Sequence, residues 1–310
     1  MYAVLSQISL RLSVLSIAQF LISDSPLQEI SDALMENMAQ LCLKASLPPT
    51  AAAMQKSTIS YYPPFEDSAP ILISESPQLL AAGSNVGFRT WDACLRLAYF
   101  LCTGGQSLVK NKTIIELGAG TGMLSILCGN HLGAESVLAT DGNIEVVASM
   151  KENISLNSDN KSADLDTIKV AHFDWTDSDT LTQALSLNSI GEWPKYDFIV
   201  GADITYNPEY FEPLVSALEL LLAVNEHATI LIAGAIRNTN TYNTFLDTCA
   251  ENRLEVMEVE YQCPPLHQQK GFFHAIALPI KIMHIRKGTA PKGGLRKVKL
   301  DSNLAKFVAV

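Results

Sequence analysis

Five short apolar segments, Thr113–Leu117, Ser136–Thr140, Ile168–Phe173, Tyr196–Ala202 and Thr229–Ala233, recur along the middle of this chain. Each is nearly continuous in its apolar character, as a strand buried on both faces is, and the stretches between them are long enough for crossover helices. That pattern predicts a parallel sheet covered by helices on both sides. Two further segments, Leu254–Tyr261 and Ala275–Ile285, flank Pro264 and Pro265 too closely for a crossover and predict a hairpin-like end. The expected fold is α/β, with a seven-stranded, mostly parallel sheet and one reversed strand at its edge. At 310 residues, 48% apolar and 17% charged, the chain has enough apolar residues for a large core.

The two ends differ from the middle. Leu5, Ile8, Leu12 and Leu15, then Leu27, Ile30, Leu34, Met38 and Leu41, recur at helical spacing, and prolines follow at Pro48, Pro49, Pro63 and Pro64. Residues 1–79 are therefore read as a helical domain, or a packing extension, ending in a proline-rich linker without strand-like alternation. Residues 80–288 form the α/β domain. The end of the chain is basic: from 281 to 310 eight Lys or Arg stand against the single acid Asp301, a local charge of +7 in a chain of net charge −10. Residues 289–310 are read as a solvated tail. The acidic remainder disfavours a nucleic-acid partner and suits a basic one. The six cysteines lack metal spacing and read as reduced thiols, the six histidines are scattered, and no apolar run reaches membrane-spanning length. A cytoplasmic protein is expected.

The segment Ile114–Ser125, IIELGAGTGMLS, leaves an apolar strand, passes through glycines and opens a helix. It lacks the Lys-Ser or Lys-Thr pair of a phosphate-binding Walker loop. It also departs from G-x-G-x-x-G, since Met123 stands where the third glycine belongs. Glu116 would repel a pyrophosphate but would attract an ammonium group. Asp141, at the end of the next strand, is placed to accept hydrogen bonds from ribose hydroxyls, unless it simply caps the following helix. A ligand with a ribose, a cationic end and no phosphate fits these residues, and S-adenosyl-L-methionine meets that description. Asp174 and Trp175 end the third strand, with Trp175 either a wall for an adenine or plain core. Asp203 and Tyr206 form a D-x-x-Y directly after the fourth.

Together, Glu116 with Gly118-Ala119-Gly120-Thr121-Gly122, Asp141, Asp174-Trp175, Asp203-x-x-Tyr206 and the stretch GFRTWDACLRLAYFL around Trp91 resemble the seven-β-strand S-adenosylmethionine-dependent protein-lysine methyltransferases of the D-x-x-Y group. That stretch and the long N-terminal extension are most similar to the branch that methylates elongation factor 2. The resemblance covers roughly residues 80 to 285 and implies a Rossmann-like fold. It implies that Glu116 and Gly118 to Gly122 line the methionine part of the cofactor and Asp141 holds the ribose. Asp174 and Trp175 would frame the adenine, Trp91 would cover the cofactor, and Ala202 would touch it through its backbone. Asp203 and Tyr206 would face the lysine.

Methyl transfer to an amine is an in-line displacement that asks chiefly for alignment. The lysine must also lose a proton, which costs about 4–5 kcal/mol at pH 7 from a pKa near 10.4. A carboxylate at Asp203 favours the ammonium, so it would attract and orient lysine rather than deprotonate it. Two other readings remain open at this level. One is a methyltransferase of a small molecule or nucleic acid, although the prolines of N-P-P-Y and D-P-P-Y are missing between Asp203 and Tyr206. The other is a non-catalytic module that keeps the cofactor fold.

Overall fold

The computed structural model describes residues 55–77, 83–158, 167–177, 179–180, 183–184, 194–274, 278–288 and 296–299. The chain divides into two units, Met1–Lys56 with Ser76–Leu80, and Ser57–Glu75 with Ala81–Val310. Every described strand and helix belongs to the second unit. The helical series from Leu5 to Leu41 lies outside the described residues.

The five parallel strands form where the apolar runs predict them: β3 (Thr113–Leu117), β4 (Ser136–Asp141), β5 (Ile168–His172), β6 (Phe198–Ala202) and β7 (Thr229–Ala235). They are preceded by a hairpin, β1 (Ser57–Tyr61) and β2 (Ile71–Glu75), and followed by β8 (Leu254–Glu260), β9 (Ile280–Lys287) and β10 (Arg296–Lys299). The main sheet runs β10-β8-β9-β7-β6-β3-β4-β5. β9 pairs antiparallel with both β8 and β7. The reversed strand is thus not at the edge, as expected, but inserted within the sheet. A chain that returns from β8 through the loop at Pro264 and Pro265 finds the free side of β7 open and seats itself there, satisfying both rows of its backbone groups. An eighth strand, β10, pairs parallel with β8 and draws Arg296–Lys299 of the basic tail into the sheet.

Helices cover both faces. On one side lie α1 (Asp92–Thr103) and α2 (Met123–Ile126), whose Leu97, Leu101, Leu124 and Ile126 join a core with Ile114, Val200 and Leu231. On the other lie α4 (Phe211–Val224) and α5 (Thr239–Glu251). Leu214, Leu218, Leu221 and Leu222 of α4 recur at helical spacing and pack with Phe245, Ile115, Ile199 and Ile232. Starts are set by asparagines. The Asn143 side chain accepts hydrogen bonds from the Glu145 and Val146 amides at the head of α3 (Ile144–Leu156), and Asn238 does the same at the head of α5.

The hairpin corrects the reading of residues 1 to about 75 as lacking strands. STISY and ILISE do alternate, with Ile71, Ile73 and Glu75 buried. The free edge of β2 is covered by two amides one helical turn apart on α3. Asn157 accepts from the Leu72 amide at 2.8 Å and donates to the Leu72 carbonyl at 2.7 Å. Asn153, only 1% exposed, accepts from the Ser74 amide at 2.8 Å and donates to the Thr121 carbonyl at 3.0 Å. Two side chains thus do for this edge what a third strand would, and Asn153 also fastens the glycine loop to the hairpin.

Candidate active site

The chain runs outward from β3 to β4 to β5, then returns to place β6 on the other side of β3. The order reverses between β3 and β6, which is where sheets of this kind open a crevice at the C-terminal ends of their strands. The glycine loop leaves β3 at that point and the D-x-x-Y turn leaves β6. They touch: a Cβ on Gly118 would lie 2.6 Å from the Ile204 Cγ2, and Gly118 has φ +62°. Gly120, at φ +54°, brings its backbone so close to the turn Gly83–Phe88 that a Cβ would sit 3.2 Å from the Gly87 carbonyl oxygen. Neither position admits a side chain without strain.

Asp141 holds the loop. Its Oδ2 accepts from the Gly120 amide and its Oδ1 from the Asn143 amide, each at 3.0 Å, and the Ala119 amide donates to the Thr140 carbonyl at 2.8 Å. Burial pushes the Asp141 carboxyl above its ordinary range. The Gly142 amide also bears on this carboxyl, and acceptor capacity remains for a hydroxyl donor. Asp141 does not bond the first-turn amides of α3; Asn143 caps that helix. The alternative of Asp141 as a simple helix cap is therefore not what forms.

Glu116 is 2% exposed on β3, with Ser125 Oγ of α2 donating to its Oε2. Burial pushes its carboxyl up to about 8. The unfolded group titrates near 4.5, so between those values the folded state holds more protons and stability falls as pH rises through the window. Replacing Glu116 by Gln removes this term. The expected result is a Tm above wild type by several °C at pH 8–9, converging with wild type near pH 5, read from thermal melts.

Thr121 is buried and faces the protein, its hydroxyl 2.8 Å from that of Thr90. The Thr90 amide in turn donates to Glu75 Oε2 and the Tyr61 hydroxyl to Glu75 Oε1, both at 2.7 Å. The hairpin, the head of α1 and the glycine loop are thus joined through polar groups. Trp91 stands at the N-cap of α1, its Nε1 donating to the Val86 carbonyl at 2.9 Å. Guanidinium carbons of Arg89 and Arg237 lie 4.9 Å and 5.4 Å from its ring centre. Trp175 lies against Gly118, where a Cβ would come within 3.5 Å of its ring, and its buried Nε1 has no hydrogen-bond partner among the described residues. Asp174 turns back on its own loop, Oδ1 accepting from the Thr176 amide and hydroxyl.

Ala202 ends β6. Asp203 follows in a left-handed conformation, φ +57°, with a side chain 7% exposed. Arg237, just beyond β7, grips it with a fork: Nη1 to Oδ1 at 3.0 Å and Nη2 to Oδ2 at 2.7 Å, while the Ala235 amide donates to Oδ1 at 3.2 Å. Asp203 is therefore not a bare carboxylate. Arg237 went unnoticed in the sequence, where the only signal was an arginine at the C-terminal end of a strand. Tyr206 is 46% exposed, and burial with neighbouring Tyr210, Asp141 and Asp203 holds its phenol above the usual range. No cluster of metal-binding side chains and no helix fit to cross a membrane occurs among the described residues.

Sheet order and the glycine turn define a Rossmann-like domain whose strand order reverses between β3 and β6. Residues 75–252 match the family model described as lysine methyltransferase. The protein-lysine N-methyltransferase EFM3 of Chaetomium thermophilum is 33% identical over 86% of this chain and 78% of its own, and EFM3 of Saccharomyces cerevisiae is 30% identical over 84% and 76%. The human protein-lysine N-methyltransferase EEF2KMT is 26% identical over 69% of this chain and 63% of its own. The chain belongs to the lysine methyltransferase family. Its cofactor is S-adenosyl-L-methionine, and the residues fit that group. Gly118 packed against Ile204 and Trp175, and Gly120 held by Asp141, stand together at the C-terminal end of β3, with the buried Trp175 Nε1 lacking a hydrogen-bond partner among the described residues.

Proposed function

We propose that this enzyme methylates a lysine of elongation factor 2 in the cytoplasm, with the lysine entering over Asp203 and Tyr206. The carrying observation is the D-x-x-Y turn itself. It leaves β6 on one side of the crevice while the glycine loop leaves β3 on the other, with Ile204 packed under Gly118. The choice of substrate is supported by the similarity of GFRTWDACLRLAYFL to the elongation factor 2 branch and by the human relative named EEF2KMT. The net charge of −10 favours a lysine-bearing protein surface.

In this reading Asp141 accepts from the ribose hydroxyls, and Glu116 and the Gly118–Gly122 backbone take the methionine end. Asp174 and Trp175 border the adenine, Trp91 closes over the crevice and Ala202 presents its backbone. When bound, the cofactor supplies a methyl group on a sulfonium sulfur. Asp203 orients the lysine nitrogen by one hydrogen bond, and the half-exposed Tyr206 ring guides its alkyl chain. Alignment is the main contribution of these side chains.

The test compares lysates of cells with and without the protein by mass spectrometry at lysine resolution. One lysine of elongation factor 2 is expected to lose its methyl groups without the enzyme and regain them when the purified protein and S-adenosylmethionine are added. Identical elongation factor 2 spectra in the two lysates would overturn the substrate assignment.

A further inference from the structure

A free carboxylate beside a lysine works against methyl transfer, because it favours the ammonium over the amine that must attack. Asp203 is not free. Three of its roughly four acceptor positions are taken, by Arg237 Nη1, Arg237 Nη2 and the Ala235 amide. What remains is one lone pair on Oδ2, enough for one N–H donor. The Arg237 guanidinium is also set against the Trp91 ring at 5.4 Å, so the fork is held from two sides by strand ends and by the head of α1.

We propose that Arg237 is a positioning residue of the reaction: by neutralising Asp203 from the fixed ends of β6 and β7, it lets the substrate lysine lie against Asp203 as the uncharged amine. This rests on the placement of the lysine at Asp203. The proton of the entering ammonium passes to bulk water. The lone pair it leaves forms the nitrogen–carbon bond as the carbon–sulfur bond breaks, the bonding electrons stay on sulfur, and the positive charge ends on the methylated nitrogen. Arg237 takes no part in proton transfer, since a guanidinium keeps its charge throughout the working range, and its pairing with Asp203 raises its affinity for the proton further.

Other charged and titratable groups bear on the pair from each neighbouring element. Asp92 of α1 acts on Arg237, and Arg89 shares the Trp91 ring with it. The Tyr206 phenol, protonated at neutral pH in any case, is shifted further upward by burial and by Tyr210, Asp141 and Asp203. The Cys94 thiol, which also senses Asp203, is pushed up by burial. Neither the Tyr206 phenol nor the Cys94 thiol supplies a base near pH 7, and the Glu116 carboxyl, pushed up to about 8 by burial, bonds Ser125 rather than Asp203 or Arg237.

The experiment measures the initial rate of label transfer from radiolabelled S-adenosylmethionine into protein of a lysate lacking the enzyme, from pH 6.5 to 10, for full-length wild type and variants. With wild type the rate rises to a midpoint. Arg237→Gln exposes the Asp203 charge and is expected to move that midpoint up by about one pH unit or more, lowering the rate near neutrality about tenfold while rates converge at high pH. Arg237→Lys, which keeps the charge, should stay nearer the wild-type midpoint. Arg237→Gln combined with Asp203→Asn should bring the midpoint back, whatever rate remains. A loss in Arg237→Gln that is equal at every pH would mark a merely structural role and overturn the proposal. An unchanged Arg237→Gln profile beside an impaired Asp203→Asn would overturn the proposal alone. Wild-type rate and profile in Asp203→Asn would overturn the placement of the lysine, and the proposal with it.

Discussion

Asp141→Ala is expected to weaken S-adenosylmethionine binding by at least a hundredfold in calorimetric titration. Two separate losses add in this one substitution. The first is the proposed pair of hydrogen bonds from ribose hydroxyls to a charged acceptor, worth on the order of 3 kcal/mol or more. The second comes from the structure of the loop. Asp141 Oδ2 is the acceptor for the Gly120 amide and Oδ1 for the Asn143 amide. Without it the glycine turn loses its side-chain tie to β4 and keeps only the Ala119 amide on the Thr140 carbonyl, while Gly120 is the residue that must stay at positive φ beside Gly87. Asp141→Asn separates the two effects. Its amide oxygen can still accept from one backbone N–H, so the loop is partly kept while the charge is lost, and an intermediate affinity is expected. Wild-type affinity in a folded Asp141→Ala protein would remove Asp141 from the cofactor site.

Asp203→Ala is expected to behave in the opposite way: near-normal cofactor affinity and a methyl-transfer rate lower by about a hundredfold or more. The carboxylate follows β6, and in the proposed placement its Oδ2 keeps the one acceptor position left for the lysine nitrogen. Truncation also leaves the Arg237 guanidinium without its fork partner. Arg237 is 41% exposed, so water compensates much of that loss and the fold should survive with a modest drop in Tm. Parallel titration and turnover measurements check the result. Poor cofactor binding together with normal turnover of the bound complex would reverse the roles given to Asp141 and Asp203.

Much of this molecule follows from local pattern. The strands β3 to β7 form at the apolar runs because a run of five or six such residues between crossover-length segments has few ways to bury itself other than in the middle of a parallel sheet. The glycine loop after β3 is equally local: positive φ at Gly118, Gly120 and Gly122 is a demand that the residue types announce. Asp141 and Asp203 were legible for the same reason, each standing at the C-terminal end of a strand where such sheets bind ligands.

Tertiary structure decided what depends on partners far apart in sequence. β9 could be seen to pair with β8, but its insertion beside β7 rests on which strand had a free edge. The β1–β2 hairpin was masked by the prolines around it, and its edge is completed by Asn153 and Asn157, about 80 residues away on α3. Glu116 announced a charge; folding placed Ser125 on it and buried both, so that near neutrality the carboxyl holds a proton. The same holds for Asp203. Its sequence neighbours suggest an open carboxylate awaiting a lysine, yet it meets Arg237, 34 positions on, because β6 and β7 are adjacent strands whose ends share one rim of the sheet. Residue type and strand position determine which groups reach that rim, while the charge each presents there is set by cross-strand neighbours and burial, which no local stretch of sequence contains.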